Sequence, residues 1–262
     1  MIIDNAGTYT LRYTATDECG NSTTVDRELV VELPQEEFRT VLYTDGTFII
    51  NESSYDMIEN IANHGEATNV YAPFDPNGAT DEDKYMFGAA ANRLWNNERE
   101  NVVRVEIGSL IYPPSLRYWF NNFVNCTSMD LMNLNTSEAT SAFGLFYGCS
   151  SLESLDVSHF DTRKMTTFEN MFRGMRNIQV LDLSSFDTSM VTTIQNMFSF
   201  CEKLKTIYAS QSFAVNNGAQ TFYETPLLVG GAGTQWNSSK QTYVYARIDN
   251  PPDAPGYFTL KS

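Results

Sequence analysis

Residues 155–180 read LDVSHFDTRKMTTFENMFRGMRNIQV, and residues 181–206 read LDLSSFDTSMVTTIQNMFSFCEKLKT. Set one above the other, they repeat with a period of 26. Leu155 matches Leu181, Asp156 matches Asp182, and Phe160-Asp161-Thr162 matches Phe186-Asp187-Thr188. Met171-Phe172 matches Met197-Phe198. A self-similarity of this length marks a repeat architecture, in which stacked units bury a core that no single unit can close.

Working upstream, residues 129–154 keep Leu131, Leu134, Thr136 and Leu145-Phe146 in register. A fourth, degenerate copy aligns Phe123-Val124-Asn125-Cys126 with Phe146-Tyr147-Gly148-Cys149 at a spacing of 23, as though one connection were three residues shorter. Within a unit, Leu155 and Val157 alternate with Asp156 and Ser158, which predicts a short strand with one buried face. Asp-Thr follows as a turn and cap signal. Met165, Phe168, Met171 and Phe172, like Val191, Ile194, Met197 and Phe198, then recur at helical spacing. The expectation is an α+β repeat: a short leucine-rich-repeat-like solenoid with strand, turn and short helix in every 26 residues.

The pattern L-D-[LV]-S-x-F-D-T-x-x-[MV]-T-x-[FI]-x-N-M-F resembles the BspA-like leucine-rich repeat family of bacterial surface proteins. Residues 228–258 are similar to the segment that closes such arrays, with Val229-Gly230-Gly231-Ala232-Gly233-Thr234, Tyr245–Asp249 and Pro255-Gly256-Tyr257-Phe258. The resemblance covers roughly residues 100–262 and implies a surface-exposed binding or adhesion role rather than a reaction. The ligand it implies is a protein or glycan on another cell or matrix. The implied setting is extracellular, at a bacterial cell surface.

The N-terminal residues add a different signal. TYTLRYTAT (8–16) alternates strictly, TTVDRELVVE (23–32) aligns Val25, Leu29 and Val31, and a turn-rich link containing Cys19-Gly20-Asn21 lies between. This predicts a hairpin. It resembles the last two strands of a bacterial immunoglobulin-like module, whose sandwich needs about seven strands. An orphan pair of this type implies removed upstream strands, packing on its own repeats, or a homo-oligomer contact through the hairpin. The opening MIIDNAGTYT has no basic n-region or apolar h-region. That reads as a piece of a longer exported protein or as a phage virion structural or receptor-binding protein released by lysis.

The expected organisation is a partial immunoglobulin-like hairpin (1–33), an N-terminal cap (34–100), the solenoid (101–206) and a C-terminal cap (207–262). In the cap, FRTVLYTDGTFII (38–50) predicts a hairpin turning at Asp45-Gly46. Residues 54–63 predict a short helix with Ile58 and Ile61 inward, and NVVRVEI (101–107) predicts a strand.

The chain has 262 residues and a net charge of −15. So acidic a surface repels nucleic acid, and no apolar run approaches the roughly 20 residues needed to insert into a membrane as a helix. Between Glu36 and Glu106 there are 14 acidic and 5 basic residues. The four cysteines form no C-x-x-C pair, which argues against zinc. Cys149 and Cys201 share one repeat position, with Met175 between, and predict a buried thiol and thioether ladder. Cys126 is expected in the rung next to Cys149, within reach of a bond.

Candidate ligand-binding residues are few. Asp130, Asp156 and Asp182 share one slot and would stack as a carboxylate ladder about 4.8 Å apart. Such a ladder is a stripe for a cation or basic ligand, or a solvated face relieved by nearby Arg and Lys. His159 replaces Asn133 and Ser185 of the neighbouring units. Tyr112 and Tyr118 flank Pro113-Pro114 as an exposed aromatic pair suited to recognition. Asp75, Asn77, Asp81 and Asp83 are the oxygen ligands of a calcium-like loop that lacks the EF-hand glycine and glutamate, so no metal and no cofactor is expected. No nucleophile–base arrangement, P-loop or dinucleotide fingerprint is present, and the expected activity is non-enzymatic.

Overall fold

The computed structural model describes residues 7–16, 20, 22–31, 39–52, 62–71 and 96–261. The chain divides between residues 37 and 38 into two compact units. In the first, β1 (Gly7–Thr16) pairs antiparallel with β2 (Ser22–Val31), from Gly7 opposite Val31 to Thr16 opposite Ser22. These ten pairs form a sheet of two strands.

The second unit begins with the hairpin of β3 (Arg39–Tyr43) and β4 (Thr47–Glu52), Leu42 lying opposite Phe48. Asp45-Gly46 makes the turn as its residue types require. Gly46 adopts φ +82°, and Asp45 Oδ1 accepts the Thr47 amide at 2.8 Å. With β5 (Ala67–Tyr71), β6 (Arg104–Ile107) and β7 (Ser128–Asp130) this becomes a five-stranded sheet in the order β5-β3-β4-β6-β7. The β4–β6 and β6–β7 pairs are parallel. A separate parallel sheet joins β8 (Val180–Leu183), β9 (Thr206–Ala209) and β10 (Phe258–Leu260) in the order β10-β9-β8.

Between these sheets the expected strand–turn–helix solenoid is not found. No helix occupies residues 165–175 or 191–201; the backbone there runs as consecutive turns. The reason is visible in the torsion angles. Two residues four apart adopt left-handed φ in each successive stretch: Tyr118 and Asn122, Gly144 and Gly148, Asn170 and Gly174, Asn196 and Phe200, Gln220 and Glu224. A right-handed helix cannot contain such residues.

The amides consequently alternate in their partners. Phe168, Asn170, Phe172 and Gly174 donate to Thr193, Gln195, Met197 and Ser199 of the following stretch, at 2.8–3.1 Å. Met171, Arg173 and Met175 donate three residues back within their own turn, at 3.1–3.2 Å. The apolar slots read from the sequence are nevertheless buried. Met165, Phe168, Met171 and Phe172 have no exposed surface, because a chain of three- and four-residue turns buries the same positions as a helix.

Two further expectations change. Leu155–Ser158 keeps its alternation, with Val157 buried and Asp156 exposed, but it is not a strand and makes no ladder bonds. Its ties to the preceding stretch come from side chains. His159 Nε2 donates to Leu131 O at 2.9 Å, and Thr136 bonds both the amide and the carbonyl of Asp161. The first copy also does not align at 23. Phe120, not Phe123, stacks on Phe146, and the Tyr118, Phe120 and Asn122 amides donate to Phe143, Leu145 and Tyr147, a spacing near 26.

The main core cluster runs from Leu42 to Phe258, and Val41, Tyr43 and Ile49 form a second, smaller one. Its spine is a column of five phenylalanines, Phe120, Phe146, Phe172, Phe198 and Phe222, stacked with centroids 5.4–5.9 Å apart and planes within 20°. Beside it runs a column of buried threonines. Thr162 Oγ1–H donates to Asp187 O at 2.9 Å while accepting the Asp187 amide at 2.8 Å, and Thr136 and Thr188 repeat this with Asp161 and Ala214. Cys126, Cys149 and Cys201 are free and buried, so Cys126 and Cys149 are not bonded. Cys149 and Cys201 donate to Phe120 O and Phe172 O. Burial pushes the Cys126 and Cys201 thiols up to about 12, which makes them poor nucleophiles.

At the C-terminal end, Asp249 is 7% exposed and gathers four donors: the Ala232, Thr234 and Gly256 amides and the Thr234 hydroxyl, at 2.6–3.1 Å. The glycine-rich segment read from the sequence is thus a wrap around one carboxylate. A Cβ on Gly230 would lie 2.3 Å from Gly256 O and 2.5 Å from Asp249 Oδ2. Residues 54–60, Ile61 and the acidic loop with Asp75, Asn77, Asp81 and Asp83 lie outside the described residues, as does Cys19.

Candidate functional site

Asp130, Asp156 and Asp182 occupy one repeat slot on three different backbones. Asp130 ends β7, Asp156 lies outside any strand, and Asp182 sits in β8. Each uses Oδ1 locally, accepting the amide two residues on, from Met132, Ser158 and Ser184 at 2.9–3.1 Å. The Ser158 amide and hydroxyl hold the Asp156 carboxyl below the usual carboxylate range, with a smaller pull from His159 and a small opposing push from Asp182. Burial works against the charge on Asp182, but its partners Lys261 and Ser184 more than offset this and lower its pKa. His159 and Asp182 are therefore each within electrostatic reach of Asp156. Their polar atoms serve turns and one ion pair rather than converging on a common point.

His159 lies T-shaped on Phe160 at 5.0 Å, and its buried Nδ1 has no hydrogen-bond partner. Tyr112 is 40% exposed. Tyr118 is half-buried at φ +59°, edge-on to Phe143 at 5.0 Å. Arg117 lies over both rings, 5.3 Å from Tyr118 and 4.2 Å from Phe143.

Among the described residues, cavities open to solvent include two of note. The larger, about 410 Å³, lies beside the β3–β4 turn and is lined by Asp45, Glu98, Glu100, Asn101 and Val103 among others. Asp45 there contacts His64 Nδ1 at 3.0 Å, and Arg104 stands 4.0 Å away. Burial opposes the Asp45 charge, yet the Thr47 amide and the His64 ring hold its carboxyl below the ordinary range. Among the described residues no group of three or more His, Cys, Asp or Glu could hold a metal ion.

The second cavity, about 310 Å³, is a trough across successive turns, lined by Asn122, Tyr147, Gly148, Arg173, Gly174 and Phe200 among others. The left-handed slot beneath it is filled by glycine in two consecutive stretches, Gly148 at φ +74° and Gly174 at φ +75°. The floor is backbone at Gly174, where an added Cβ would come no nearer than 3.5 Å to Gly148, while the Asn122 carboxamide lies over Gly148. The Arg173 guanidinium lies 5.6 Å from the Tyr147 ring and 5.3 Å from the Phe200 ring. This is cation–π geometry. Arg176 at the rim is paired with Glu202 at 2.6 Å. The trough combines an aromatic wall, a positive planar donor and a preformed floor. The sequence reading missed it, although glycine 26 residues apart, each just after a Tyr or Arg, was its signature.

Residues 114–242 match the model of a family described as "Mycoplasma protein of unknown function, DUF285". No curated protein and no solved structure matches the chain. The turn ladder and its trough lie inside the stretch that resembles this family.

Proposed function

We propose that the chain is a non-enzymatic binding module, displayed extracellularly at a bacterial cell surface, that contacts a protein or glycan ligand through a preformed repeat surface. The observation that supports this best is the trough over Gly148 and Gly174. Its walls are fixed by inter-turn backbone hydrogen bonds, so a ligand meets side chains that need little ordering. The acidic column contributes less, because each carboxylate gives Oδ1 to its own turn and the three do not converge on a common point.

Fluorescently labelled full-length chain on a glycan and matrix-protein array tests the reading. Selective binding supports it, and uniform absence of binding counts against it. A second reading, assembly into a virion through the N-terminal ribbon, draws on one observation. Among the described residues β1 and β2 form a sheet of two strands, an arrangement marginal by itself in water. Light scattering separates the two: a stable trimer favours assembly, a monomer the binding module.

A further inference from the structure

Resting on the binding-module reading, we infer that the trough floored by Gly148 and Gly174 receives a sugar ring bearing a single carboxylate. The slot that supplies the floor runs Asn122, Gly148, Gly174, Phe200, Glu224, all at left-handed φ. Phe200, at φ +62°, is the bulky member of that series in a backbone region such side chains rarely adopt. Its ring lines the same trough as Gly174, where the floor is backbone, and stands T-shaped against Tyr223 at 5.2 Å. The Arg173 guanidinium lies over this half-buried ring, and the ring's remaining exposed apolar surface is of the kind that takes the C–H face of a sugar.

Arg173 supplies the polar half. Its guanidinium makes one hydrogen bond to a protein acceptor, Asn170 Oδ1 at 3.4 Å. Among the described residues no carboxylate lies within ion-pair distance of it, although the chain carries 32 acidic residues. A planar fork held between two rings, with one long hydrogen bond to Asn170 and no carboxylate partner among the described residues, suits bidentate recognition of a carboxylate.

Size and charge narrow the ligand further. About 310 Å³ is at the small end of ligand cavities and accommodates one ring with its substituents. The net charge of −15 repels dense polyanions. Screening over about 8 Å at physiological salt lets an isolated carboxylate respond to Arg173 alone.

The test is an amide-resolved NMR titration of the full chain with methyl β-D-glucuronide, methyl β-D-glucoside and glucose 6-phosphate. The expected result is shifts centred on Gly148, Gly174 and Phe200, with the glucuronide binding about tenfold or more tighter than the glucoside. Arg173→Met should erase that preference. Phe200→Asn, whose new residue tolerates left-handed φ, should abolish binding of both sugars. Thermal melts confirm that both variants fold. Equal affinity for glucuronide and glucoside, shifts elsewhere, or an intact preference in Arg173→Met overturns the inference. Tighter binding of the phosphate overturns the carboxylate assignment. A selective array ligand together with no glucuronide shifts refutes this inference alone. A blank array with glucuronide shifts at the trough supports it and overturns only the partner class assigned above.

Discussion

Replacing Thr162 by valine probes whether the threonine column holds the repeats together. Thr162 is 1% exposed, and its hydroxyl serves both the carbonyl and the amide of Asp187, at 2.9 and 2.8 Å. Valine keeps the shape and removes both bonds, leaving a backbone donor and a backbone acceptor unpaired. Each such group costs about 1–3 kcal/mol when fully buried. Asp187 is half-buried, so water recovers part of the loss, and about 2–4 kcal/mol in total is expected. In a unit of this size that lowers Tm by about 4–16 °C. Thr166→Val is the control. Its exposed hydroxyl donates to Thr140 O at 3.1 Å, but the Thr166 amide already occupies that carbonyl at 2.9 Å. About 0.5 kcal/mol or less is expected there. Urea unfolding, with the slope checked for constancy, measures both. A Thr162→Val loss below about 1 kcal/mol, or a Thr166→Val loss equal to it, refutes the assignment of the inter-turn tie to the buried hydroxyl.

Further expectations concern the core, the closing wrap and the thiols. Phe172→Ala removes the middle of the phenylalanine column and should cost about 3–5 kcal/mol in the same urea titration. The carboxyl of Asp249 is held below its usual range: burial opposes the charge, but the Thr234, Gly256 and Ala232 donors outweigh it. Its stabilisation is therefore complete above the unfolded carboxylate pKa of about 3.9 and is lost as pH falls through the lower folded value. Asp249→Asn should destabilise by about 1–3 kcal/mol at pH 7, and the gap to the parent should shrink in melts below about pH 4. Gly230→Ala drives a Cβ against the Gly256 carbonyl and should loosen the wrap, read as a shift in Trp236 fluorescence. In the native chain at pH 8, Cys126, Cys149 and Cys201 should resist a thiol reagent and react once denaturant is added.

Much of the repeat was legible before any coordinates. The period of 26, the buried slots Leu181, Met165, Phe168 and Phe172, the Asp45-Gly46 turn and the β1–β2 pairing all follow from side-chain pattern and turn chemistry. The helix did not follow, because burial at i, i+3 and i+4 does not separate a helix from a run of three-residue turns. The distinguishing signal was left-handed backbone at positions four apart. Glycine and asparagine announce it at Gly144, Gly148, Asn170 and Gly174, whereas Tyr118, Phe200, Gln220 and Glu224 conceal it. The same concealment shifted the first copy to a spacing of 23, since Phe123 imitates Phe120. Of the candidate site, Asp130, Asp156 and Asp182 follow from column position, but sequence could not show that each gives its Oδ1 to its own turn or that Asp182 also pairs with Lys261. The trough was invisible for the complementary reason: it is made of missing side chains, and its arginine gains meaning only when Tyr147 and Phe200 are seen on either side.

The alternation of amides has an evolutionary corollary. Every second N–H in a turn stretch is satisfied only by the stretch that follows, so the smallest edit the fold tolerates in its interior is a whole unit. Inserting or deleting one residue between Phe168 and Gly174 would exchange inward donors for outward ones and rotate the phenylalanine out of its column. Duplicating 26 residues changes neither. Such a chain lengthens or shortens in quanta, and each added quantum copies the column positions while leaving the side chains at its left-handed slots free to diversify.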